Sequence, residues 1–134
     1  MRFESTNLTS VNLGGGDRME ISDAAVLHNG NMYGNAQLNV TGGGIVYRLE
    51  AYDDSQVWVS SGGLVNSLVV GSDCEVHVQS GGVIMHAFVS GGSLCIDEGG
   101  SAHVTQYSFG CIRKHYNGII TFGGIMVTPK ETKK

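Results

Sequence analysis

The chain has 134 residues, of which 41% are hydrophobic and 15% charged, a balance that excludes a disordered polymer and allows one domain with a sizeable core. Glycine is the outlier at 21 residues against a single proline, which fits neither collagen nor a proline-rich linker. The formal net charge of −4 offers no electrostatic attraction for nucleic acid or an anionic membrane. The short basic tail, Lys130, Lys133 and Lys134, reads as a solvated terminus.

No apolar run approaches the roughly 18 residues of a membrane span, so no membrane insertion by this segment is expected. Met1 to Ser10 contains no apolar leader segment. Three cysteines, Cys74, Cys95 and Cys111, stand at irregular spacing without a C-x-x-C pair. They make neither a disulfide framework nor a zinc motif and read as small wall residues.

In chain order, the first element is the block 5–23, STNLTSVNLGGGDRMEISD. It is followed in register by 24–42 (AAVLHNGNMYGNAQLNVTG), 43–61 (GGIVYRLEAYDDSQVWVSS), 62–80 (GGLVNSLVVGSDCEVHVQS) and 81–98 (GGVIMHAFVSGGSLCIDE). The first four blocks have 19 residues and the last has 18. A partial sixth block spans 99–110. The fourth column reads Leu8, Leu27, Val46, Val65, Ile84 and Ala102. The fifteenth reads Met19, Leu38, Val57 and Val76, and the seventeenth Ile21, Val40, Val59 and Val78. The deletion in the last block moves these two columns to Leu94 and Ile96. Between them stand Glu20, Asn39, Trp58, His77 and Cys95. Apolar, variable, apolar is the period-2 signature of a strand with one buried face.

Short strands punctuated by glycine cannot each bury a core of their own. A fixed period lets every block coil once and pair in parallel with the next, so that like columns stack inward. The expected fold is therefore all-β, a right-handed parallel β-helix (β-solenoid) of about six coils, occupying 1–134 as a single domain. Glycine at the corners would supply positive φ. A leucine-rich repeat would need an Asn ladder and a longer unit, and the calcium-binding nonapeptide is absent.

From Cys111 to Thr128 the period is lost. Ile119–Phe122, Gly123-Gly124 and Ile125–Thr128 read as a β-hairpin, which makes 111–128 a cap over the C-terminal end of the coil. Pro129 stops pairing and the tail 129–134 follows.

The phrases SGGLVNSLVV, SGGVIMHAFVSGG and EGGSAHV resemble the repeats of AIDA-type autotransporter adhesins, most clearly over Gly43 to Val104. The chain looks like a short fragment or a stand-alone relative of that family. The resemblance implies a β-helix passenger on a bacterial surface or secreted, engaged in adhesion, self-association and biofilm growth, and sometimes glycosylated on Ser and Thr. A chain without a leader also fits the cytoplasm.

Of the residues that could carry chemistry, Asp53, Asp54, Asp73, Asp97 and Glu98 lie near the expected corners, where turn formation explains them more simply than catalysis does. Of His28, His77, His86, His103 and His115, no two share a column on adjacent coils, so no metal site is expected. Nucleophile triads and phosphate loops have no support. No catalytic residue and no cofactor are assigned. Tyr33 and Tyr52 fall in the tenth column of adjacent blocks, and Trp58 neighbours His77 in the outward sixteenth. These four aromatics are the candidate contact strip, either stacking on each other or binding a glycan or a partner chain. The sequons Asn7-Leu8-Thr9 and Asn39-Val40-Thr41 match an N-glycosylation pattern. The expected function is a non-enzymatic structural or adhesive module making contacts with itself, a host or cell-surface glycan, or another partner. A fragment of a carbohydrate-active β-helix enzyme is the alternative.

Overall fold

A computed structural model describes the backbone of residues 2–4, 7–23, 25–71, 73–114 and 119–122. Within these residues the chain is all β-structure, and every strand pairing is parallel. Two kinds of strand alternate. The long ones are β2 (Asn7–Leu13), β4 (Val26–Met32), β6 (Ile45–Ala51) and β8 (Leu64–Val70). The short ones are β1 (Arg2–Glu4), β3 (Arg18–Ser22), β5 (Gln37–Val40), β7 (Gln56–Val59) and β9 (Glu75–Val78). Long strands pair with long and short with short, each shifted by one repeat, while β10 (Val83–Ile96) and β11 (Ser101–Lys114) run through both rows. The result is a parallel β-solenoid of about five turns, slightly fewer than the repeat text suggests.

The expected columns coincide with the pairing register. Leu8, Leu27, Val46, Val65, Ile84 and Ala102 are successive partners. So are Met19, Leu38, Val57, Val76 and Leu94. Ile21, Val40, Val59, Val78 and Ile96 form the third stack, and all three join one continuous core. Two further inward columns complete it: Gly30, Leu49, Leu68 and Ala87, and Met32, Ala51, Val70 and Val89. A sixth inward column, at the corner, holds the small residues Ala36, Ser55 and Cys74, all buried. Ser55 Oγ donates to the Tyr52 carbonyl at 2.6 Å, so this buried hydroxyl is satisfied.

The long strands are not straight. In β6 the alternation of buried and exposed residues slips at Tyr47 and Arg48, two successive exposed positions. Successive side chains of a flat strand point to opposite faces, so two outward neighbours mean that the backbone turns there. Each coil thus has three walls: the two arms of the long strand, and the short strand.

The glycine pair that opens the coils at Gly43, Gly62, Gly81 and Gly99 does two different things. At Gly81-Gly82 the first residue has φ +83°. The second lies over the Val59 carbonyl, the group that accepts the Gln79 amide at 2.8 Å, and a Cβ there would fall well inside 3.0 Å of it. The repeat therefore needs glycine once for conformation and once for close approach of two backbones.

Two expectations about the C-terminal part change. The period does not stop at Cys111, because β11 continues to Lys114 with Ile112 buried opposite Leu94. β12 (Ile119–Phe122), the expected first arm of the hairpin, pairs in parallel with Ser101–Val104 and forms another rung. An apolar four-residue strand suits either role, and the open edge of β11 captures it. The second arm of the hairpin and the tail lie outside the described residues.

Candidate functional site

The outward side of the short-strand wall carries the sixteenth column, held by β3, β5, β7 and β9. Trp58 and His77 are register partners, and their rings stack at a centroid distance of 6.1 Å and an interplanar angle of 12°. Inward Val57, Val59, Val76 and Val78 clamp the two strands, so the outward side chains rise from a rigid base. Glu75 Oε1 stands 3.6 Å from His77 Nε2, and Gln37 Nε2 donates to Gln56 Oε1 at 3.4 Å along the neighbouring outward column. An aromatic platform, a carboxylate and an amide ladder therefore share one flat wall.

Tyr33 and Tyr52 behave differently. They occupy the same column one rung apart, with their amides bonded to the Leu13 and Met32 carbonyls. Both rings are exposed, yet each covers a glycine on the far side of the pair. Tyr33 lies over Gly14 and Tyr52 over Gly71, where any added Cβ would collide with the ring. The two rings diverge and shield bare backbone. The Tyr52 hydroxyl donates to Glu50 Oε1 at 3.3 Å. Partial burial, then the Glu50 charge, raises the pKa of the Tyr52 phenol above its ordinary value.

A second outward stack was not anticipated. His28 and Tyr47 lie 5.2 Å apart at 20° on the long-strand wall. The signal was present, since both are fifth-column residues of adjacent blocks. The four proposed strip residues thus divide into one stacked pair on the short-strand wall and two separate tyrosines at a corner.

The acidic candidates occupy corners. Asp53, Asp54 and Asp73 have φ of 55°, 66° and 61°, the left-handed conformation that aspartate tolerates in turns. Asp97 and Glu98 occupy the turn after β10. No group of three or more His, Cys, Asp or Glu side chains able to hold a metal occurs among the described residues.

Compared with family models, curated proteins and solved structures, the chain finds no match. The solenoid is thus established by its own geometry alone. No helix among the described residues is long and apolar enough to cross a membrane.

Burial places the cysteines as well. Cys74 is buried at a corner, and desolvation pushes its thiol up to about 11, against which backbone hydrogen bonds at Ser55 and Gly71 act only partly. Such a thiol stays protonated and unreactive near neutral pH.

Proposed function

We propose that this solenoid is a non-enzymatic adhesive module, carried at a bacterial surface, whose short-strand wall makes side-on contact with a glycan or a second copy of the chain. The observation that carries the reading is the Trp58–His77 stack with Glu75 and the Gln37–Gln56 amides beside it. A flat indole next to fixed acceptors and donors suits a pyranose ring, which offers an apolar face and equatorial hydroxyls. The same wall, repeated along a rod, offers area rather than an enclosed cavity, which favours extended contact over small-molecule turnover. The likeness of the repeats to autotransporter adhesins supports the same class.

Sedimentation velocity over a concentration series, run beside a glycan array, tests the reading. Trp58→Ala is expected to weaken whichever contact is found by roughly 1–3 kcal/mol while circular dichroism stays unchanged. A chain that remains monomeric and binds no glycan overturns it.

A further inference from the structure

The register between β10 and β11 slips locally, and the slip has a chemical consequence. Ile84 pairs with Ala102 and Ala87 with Val104, so Met85 and His86 together stand opposite the single residue His103. This two-against-one arrangement is a β-bulge, a device that re-aims side chains. It brings together two histidines that do not share a column: the His86 and His103 rings lie 6.0 Å apart, edge to face at 87°. A cleft of about 370 Å³ opens at this point, with Met85, His86, Ser101 and His103 in its wall.

We propose that His86 and His103 form a solvent-open binding site for a divalent cation of the copper–zinc class. Imidazole is the protein donor best matched to these ions. His86 Nδ1 is already engaged by Thr105 Oγ1 at 3.1 Å, which leaves Nε2 as the ligating nitrogen. Ligating histidines commonly have such a partner on the other ring nitrogen, since it sets the tautomer and holds the ring. Metal bonds of about 2.0–2.1 Å bring two tetrahedral ligand nitrogens to roughly 3.3 Å of each other, so the edge-to-face rings, 6.0 Å apart between centroids, must reorient around the ion. With these two donors from the described residues, the remaining positions fall to water or to a donor from another molecule. The site is therefore exchangeable, unlike a closed structural centre.

The test is titration of the full chain with Cu²⁺ and with Zn²⁺, followed by calorimetry and by long-range ¹H–¹⁵N spectra of the imidazoles. One equivalent is expected to bind, copper more tightly than zinc, with the nitrogen signals of His86 and His103 shifting together with Zn²⁺ and broadening together with paramagnetic Cu²⁺. His86→Ala and His103→Ala should each abolish that shift and lower affinity at least about tenfold, and Thr105→Val should lower it about tenfold through the lost hydrogen bond. His28→Ala, at a histidine on another part of the long-strand wall, should leave metal uptake unchanged. Uptake that survives both His86→Ala and His103→Ala, or that disappears in His28→Ala, overturns the proposal, as does a failure of the two imidazoles to respond. Circular dichroism of each variant separates loss of ligand from loss of fold.

Discussion

Replacing Gly82 by alanine tests the close-packing role of the second glycine directly. The new Cβ would press on the Val59 carbonyl, a backbone atom held on both sides by the rung. Relieving the overlap requires a displacement on the order of an ångström, enough to break the 2.8 Å bond from the Gln79 amide to that carbonyl. Overpacking of this kind costs about 1–3 kcal/mol and the lost hydrogen bond about 0.5–1.5 kcal/mol, so the expected destabilisation is roughly 2–4 kcal/mol. Gly16→Ala is the control. Gly16 has the same φ as Gly81, +83°, but open space around a Cβ, so only conformational strain of roughly 1–2 kcal/mol applies. Urea unfolding monitored by the fluorescence of Trp58, the neighbour of Val59, reads both variants. Against a typical total of about 5–15 kcal/mol, the Gly82 variant should lose a large share of its stability. If Gly82→Ala costs no more than Gly16→Ala, steric approach is not what selects the second glycine, and the account of the glycine pair fails.

Leu68→Ala, at a fully buried position in the middle of the stack, should cost about 2–5 kcal/mol by urea unfolding, and a cost below 1 kcal/mol would mean that the coil collapses around the gap. The raised Cys74 thiol makes stability fall with alkali: the unfolded chain ionises this group first, so stability is intact below the ordinary thiol range and is lost as pH rises toward about 11. Urea midpoints at neutral and alkaline pH should show this loss, and Cys74→Ala should reduce it. Tyr33→Ala should expose the Gly14 backbone to water and speed hydrogen exchange of the amides at that corner relative to wild type, and unchanged protection there would remove the shielding role assigned to the ring.

The repeat itself determined the coil, because both of its signals are local. Inward columns such as Val57–Val76 and Val59–Val78 follow from side-chain alternation, and the register follows from the spacing of the glycine pairs. The Trp58–His77 stack was legible on the same grounds, since one column number places both rings on one wall. Properties that depend on a neighbour one rung away were not. The tyrosines diverge because Gly14 and Gly71 leave room beside them, and no column number carries a rotamer. His86 and His103 meet because the pairing of β10 with β11 slips at Met85–His86 and recovers by Phe88–Gln106, and such a local bulge leaves no mark in the spacing of the repeat text. Ile119–Phe122 pairs as a rung instead of being placed by its hairpin alone because β11 presents an open parallel edge, and a strand of four residues takes its partner from the surface that offers hydrogen bonds rather than from its own sequence.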